Sequence, residues 1–178
     1  MAKAEILKPF ILSWEGGFAN VKGDRGGATN KGVTIATFRS VFGQDKTVED
    51  LKRMTDDQWM TIFKKYFWDK WSATSITSQA IANLLVDWVW ASGAYGIKLP
   101  QKVLGVKIDG VVGAKTLAAI NNYPNQQELF RKLWKEREDF FNRIGTGTQK
   151  KFLKGWLNRL NGIKYDRLVM SNGKTLAW

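Results

Sequence analysis

Two carboxylates near the start of the chain have the neighbours that proton chemistry needs. Glu15 stands in Trp14-Glu15-Gly16-Gly17, with Phe10, Ile11 and Phe18 close by in sequence. Aromatic surface disfavours the charged form of a carboxylate, the condition under which a glutamate serves as a general acid. The two glycines let the following backbone pass close to a bulky ligand. The same spacing also describes a solvated glutamate ahead of a Gly-Gly helix stop, and spacing alone does not separate these readings. Asp24 follows in Asp24-Arg25-Gly26-Gly27-Ala28-Thr29. It is of the type that orients water or stabilises an oxocarbenium-like transition state, although in isolation it reads more simply as a turn-forming Asp. Thr29 and Thr34 place hydroxyls on the same loop, where they can hold water or polar ligand groups. Gly32 between them and Tyr66 further on complete the candidate ligand contacts.

Elimination strengthens the case for carboxylates. The 178 residues include no Cys and no His. Thiol nucleophiles, disulfides, Ser-His-Asp and Cys-His triads and almost every zinc hydrolase site are thereby excluded. Proton transfers must come from Asp, Glu, Tyr or Lys, and neither a metal nor a cofactor is expected. The net charge of +12 favours a polyanionic partner such as nucleic acid, an anionic membrane or a cell wall. The positive residues are scattered among acids and no nucleic-acid motif is present, so nucleic acid is not the expected partner. Nine Trp and ten Phe exceed what a helical core needs, and ring faces stack on sugars as readily as on bases. No apolar stretch reaches the roughly 18–20 residues that span a bilayer, and no secretory signal is visible. A soluble chain made in the cytosol, without stable membrane insertion and monomeric, is the expectation.

Apolar residues recur mostly at helical spacing, so the fold class is mostly α. A first helix is predicted from about residue 2 to Trp14, kinked at Pro9. The glycine-rich stretch after it reads as a long shaped loop or small β-ribbon. Helical pattern resumes at 34–41 and 48–54, and Thr55-Asp56-Asp57 is a good N-cap start for a helix through Tyr66. Residues 78–91 are apolar nearly all round, which marks a buried central helix. Gly93, Gly96 and Pro100 are expected to break the pattern. Residues 99–117 read as a helix, an Asp109-Gly110 turn and a helix. Amphipathic helices are predicted at 126–144 and 149–160, and the residues after Gly162 show no periodicity.

Three charges fall on apolar faces. Asp87 lies inside Leu84-Leu85-Val86-Asp87-Trp88-Val89-Trp90, Arg137 stands in a row with Leu129, Leu133 and Phe141, and Arg159 follows Phe152 and Trp156. Buried charges need partners, so Asp87 should pair with Arg137 or Arg159. An ion pair that fixes helix packing is the simpler reading; a supporting role behind Glu15 is the second.

Taken in order, Glu15-Gly16-Gly17-Phe18, then Asp24-Arg25-Gly26-Gly27-Ala28-Thr29-Asn30-Lys31-Gly32-Val33-Thr34, resemble the signature of the glycoside hydrolase family 108 lysozymes. The run Leu104-Gly105-Val106 … Asp109-Gly110 … Gly113 … Thr116 is similar to that family's peptidoglycan-binding module, and Gly155-Trp156-Leu157-Asn158-Arg159 to its closing motif. Phe18 stands where the family usually has Tyr, and Lys31 where an aromatic is common. The resemblance implies a lysozyme-like helical fold and N-acetylmuramidase activity on bacterial peptidoglycan, with Glu15 as the catalytic acid and Asp24 and Thr29 near the positions of a second acid and a threonine. It implies a catalytic region over residues 1–90, a peptidoglycan-binding helical module over 91–162 packed on it, and a tail over 163–178. It also implies holin-dependent passage to the wall, where the protein acts in the periplasm or outside the cell. A non-catalytic basic wall-binding or secretion-associated protein is the alternative.

Overall fold

The stretch centred on Leu84-Leu85-Val86 becomes helix α5 (Gln79–Ser92), buried from Gln79 through Val89. Its all-round apolar character leaves it no solvent face, so other elements must surround it. Ser78 caps its start by accepting a hydrogen bond from the backbone N–H of Ile81. The computed structural model describes residues 1–21 and 27–178. Among the described residues the molecule is mostly helical, with a small antiparallel ribbon after the first helix, as the pattern predicts and in keeping with the lysozyme-like fold that the resemblance implies.

Helix α1 (Ala4–Trp14) contains Pro9 and buries Leu7, Phe10 and Ile11. It stops at Glu15, whose backbone turns extended. The ribbon pairs β1 (Thr29–Asn30) with β2 (Val33–Thr34), in register Thr29 with Thr34. Its tight turn needs positive φ at Lys31 (50°) and Gly32 (80°). Three short helices follow: α2 (Ile35–Phe42), α3 (Val48–Lys52) and α4 (Asp56–Phe63). Thr47 with Asp50 and Thr55 with Gln58 form capping boxes, which satisfy otherwise orphaned N–H groups at both helix starts. The α4 helix ends at Phe63, and the chain widens into a π-helical turn at Lys64–Trp68.

Two expectations are corrected here. Gly96 and Pro100 do not break the chain; both lie within α6 (Tyr95–Leu104). Proline lacks the N–H that would bond the carbonyl four residues back. That carbonyl, on Gly96, instead accepts the indole N–H of Trp71 at 3.1 Å, so the helix keeps its satisfied backbone. Gly96 also has no room for a side chain, because an added Cβ would lie 2.5 Å from the Val89 nitrogen of α5. The second correction concerns the C-terminal residues. They form a β-hairpin of β3 (Arg167–Val169) and β4 (Thr175–Ala177), with Leu168 fully buried. Ser171 bonds back to Ser13 at the end of α1.

Between these lie α7 (Ala114–Asn121), α8 (Gln126–Ile144) and α9 (Lys150–Asn161). Helices α6 and α8 pack on α5, and α9 packs on α8. Trp59, Trp68, Trp71 and Trp88 are all core residues. Much of the aromatic excess therefore fills the interior, and only part of it is left for a ligand.

Candidate active site

Glu15 sits where three parts of the fold converge: the end of α1, the turn of the ribbon, and the packed faces of α5 and α9. Its Oε1 accepts two hydrogen bonds, from the Trp90 indole at 2.7 Å and from the Arg159 Nη1 at 2.9 Å. The side chain keeps 21% of its surface exposed. It lines a cavity of about 350 Å³ together with Gly32, Phe67, Trp90, Phe141 and Trp156, with Arg137 and Arg159 at its floor. Gly32 is tightly placed: a Cβ there would lie 2.5 Å from the Trp90 ring and 3.1 Å from the Glu15 carboxyl carbon. The ribbon turn is itself anchored, since the Trp59 indole donates to the Lys31 carbonyl at 3.0 Å. A larger hollow of about 530 Å³, between Met1, Lys3, Gln79, Tyr165 and Trp178, is lined by no Asp or Glu side chain among the described residues.

Behind Glu15 the three charges on apolar faces meet. Asp87 pairs with both arginines. Its Oδ1 receives Arg159 Nη2 at 2.7 Å and Nε at 3.2 Å, and its Oδ2 receives Arg137 Nη2 at 2.9 Å. The fork of Arg159 is thus divided, with the Nε and Nη2 edge on Asp87 and Nη1 on Glu15. Asp87 and Arg137 are fully buried. Burial pushes the Asp87 carboxyl up, but Arg159 and Arg137 together outweigh it and hold the group below the usual carboxylate range. Burial also weakens the proton hold of Arg159, yet Asp87 and Glu15 more than offset this and raise it. For Arg137 burial wins: Asp87 strengthens its hold on the proton, but burial and repulsion by Arg159 outweigh that, so its value is lowered. The Arg137 guanidinium lies 5.2 Å from the Phe141 ring centre and 5.9 Å from that of Trp88. Among the described residues its Nε and Nη1 have no hydrogen-bond partner.

The remaining candidates are placed differently. Asp24 lies outside the described residues. Thr29 is half-buried in β1, and its backbone bridges Ala19. Thr34 is the N-cap of α2: its hydroxyl accepts the Thr37 N–H at 3.2 Å and donates to the Thr37 hydroxyl at 3.0 Å. The hydroxyl of Tyr66 bonds that of Ser40 at 3.1 Å, and it is the next residue, Phe67, that lines the cavity. The π-helical turn rotates this stretch away from the regular helical register, so Phe67 packs on Trp90 with ring centres 4.6 Å apart. Phe67, Trp90 and Trp156 escaped sequence reasoning because a half-buried aromatic on an apolar stripe looks like any other core residue.

Residues 8–93 match the model of glycosyl hydrolase family 108, and residues 95–161 match that of a predicted peptidoglycan domain. The solved structure of SagA from Brucella abortus is similar over 88% of this chain and 88% of its own, at 32% identity and a TM-score of 0.73. The chain belongs to glycosyl hydrolase family 108. No curated protein matches the sequence. Membership in family 108 makes the chain a glycoside hydrolase by family, and the second match gives it peptidoglycan as its ligand. The boundary between the two matched segments does not bound the site. Glu15, Gly32, Phe67, Asp87 and Trp90 come from the first segment, whereas Arg137, Phe141, Trp156 and Arg159 come from the second.

Proposed function

We propose that this protein is an N-acetylmuramidase that hydrolyses the β-1,4 bond between N-acetylmuramic acid and N-acetylglucosamine, with Glu15 as general acid. One observation carries the assignment of the acid: Glu15 is a carboxylate in the wall of a cavity of about 350 Å³ with aromatic sides, fixed through one oxygen by two donors. A fixed carboxyl at such a wall can give its proton to the glycosidic oxygen as the bond breaks. The ring faces of Trp90, Phe67 and Trp156 supply apolar surface on which sugar rings pack. Gly32 keeps the ribbon turn clear of the carboxyl. A water on the far side of the sugar, or Asp24, deals with the anomeric carbon. The protein acts at the cell wall, and its positive charge draws it to that anionic material.

The test is the Glu15→Gln variant, which keeps the shape and the acceptor oxygen but has no proton to give. Clearing of peptidoglycan suspensions should fall by about 100-fold or more, while wall pull-down and circular dichroism stay as in the wild type. Mass spectrometry of the released muropeptides should find new reducing ends on N-acetylmuramic acid. Unchanged clearing by Glu15→Gln would sink the assignment of the acid. New ends on N-acetylglucosamine, or anhydro ends, would sink the assignment of the bond. Wall pull-down by the wild type with no sugar ends released would establish the wall-binding alternative.

A further inference from the structure

The pairing of Asp87 reaches further than the packing of three helices. Glu15, Arg159, Asp87 and Arg137 form one continuous chain of contacts in which anion and cation alternate: 2.9 Å from Glu15 to Arg159, 2.7 Å from Arg159 to Asp87, and 2.9 Å from Asp87 to Arg137. With all four ionised the cluster is neutral. When Glu15 carries a proton the cluster holds one positive charge, and that is the state a general acid must occupy before it acts. A lone arginine against Glu15 would oppose that state strongly, because the interior screens charge poorly. Asp87 counters this by taking two of the three nitrogens of Arg159 in its fork. Arg137 in turn satisfies the Asp87 oxygen that Arg159 uses least.

We propose that Asp87 is a positioning residue which, with Arg137 behind it, sets the pH range over which Glu15 can act as an acid. The proposal rests on Glu15 being the general acid. Among the described residues the charged groups near Glu15 are few. Arg159 of α9 touches it, Asp87 of α5 and Arg137 of α8 stand behind, and on the ribbon side Lys31 is drawn toward Asp56 of α4 at 3.9 Å. Removing Arg137 changes the sum around Glu15 without touching Glu15 or its two hydrogen-bond donors, whereas Asp87→Asn removes the charge but keeps a side-chain oxygen for Arg159 to donate to.

The signs differ for the two charges. Asp87→Asn leaves two cations against one anion, so the proton on Glu15 is held less firmly. The limb of the activity profile that falls as pH rises then moves to lower pH. Arg137→Met leaves Asp87 its two-pronged partner and removes a cation, so the same limb moves to higher pH. A charge removed at this range shifts a titration by on the order of one unit. The double variant restores the wild-type sum and returns the limb to its wild-type position.

The experiment is the pH profile of wall hydrolysis for wild type, Asp87→Asn, Arg137→Met and the double variant, each first checked for folding by circular dichroism. Shifts of about one unit in opposite directions, cancelled in the double variant, are expected. Activity lowered by one factor at every pH, or limbs that do not move, would overturn the proposal and leave Asp87 a packing residue. Should Asp87→Asn fail to fold, Arg137→Met against wild type decides alone. Glu15→Gln in the same assay separates the two levels: if it stays active the acid is misassigned, whereas an inactive Glu15→Gln with unmoved limbs removes only the role of Asp87.

Discussion

Asp87 and Gln101 are both fully buried polar side chains, and each organises a network, yet the networks differ in reach and in charge. The Gln101 amide serves its own neighbourhood. Its Oε1 accepts the N–H groups of Asp109 and Gly110 at 3.2 and 2.9 Å, and its Nε2 donates to the Asp109 carboxylate and the Val111 carbonyl at 3.0 and 2.9 Å. These partners lie eight to ten residues away, and the result is a shaped loop between α6 and α7. The carboxylate of Asp87 joins residues 50 and 72 positions distant, and through Arg159 it reaches Glu15. A neutral amide can fold a loop and tolerate loss of one bond. A buried ion cluster fixes three helices but fails badly when one member is missing, because the charges left behind have no water to turn to.

That contrast can be broken by experiment. The largest effect is expected for Asp87→Ala, which strands the buried Arg137 and leaves Arg159 with Glu15 alone: a loss of about 3–5 kcal/mol in chemical denaturation. A loss under about 1 kcal/mol would mean that water or a shifted side chain replaces the carboxylate. Gln101→Ala should cost less, about 1–3 kcal/mol. Hydrogen exchange should quicken at residues 105–113 while wall hydrolysis persists; protection lost across α5 instead would show the two networks to be coupled. Acid is the gentlest probe. The folded Asp87 carboxyl sits below its unfolded value. Its contribution is therefore complete above the unfolded value of about 3.9 and is lost as pH falls through the folded one. Denaturation midpoints measured from pH 6 to pH 2 should drop less steeply for Asp87→Asn than for wild type, by an amount smaller than the Asp87→Ala loss. Equal slopes would place the acid sensitivity elsewhere.

Most helices were legible because their signals are local. Thr55 and Ser78 cap where capping residues should, and the apolar run around Leu84 is the central helix. The inward charges were legible as well: a carboxylate in the most apolar helix and arginines on apolar stripes demand one another. What escaped was decided at long range. Pro100 reads as a stop unless a donor from elsewhere takes the freed carbonyl, and that donor is Trp71. The C-terminal hairpin is too short to display an alternating pattern, with Leu168 its one fully buried strand residue. Phe67 rather than Tyr66 faces the cavity because a π-helical turn shifts the register by an amount no periodicity announces. In the same way Thr34 offered a hydroxyl that the helix start of α2 already uses.

The contact between Glu15 and Arg159 spans 144 positions of sequence. A ribosome adding roughly 5–20 residues each second delivers the arginine on the order of 7–30 seconds after the glutamate. Through that interval Glu15 has neither the guanidinium nor the Trp156 wall beside it. The hairpin strap that returns to α1 through Ser171 is made later still. Synthesis therefore works as a timer: the site comes into being only after Arg159 has been made, and no product that stops short of it carries the site.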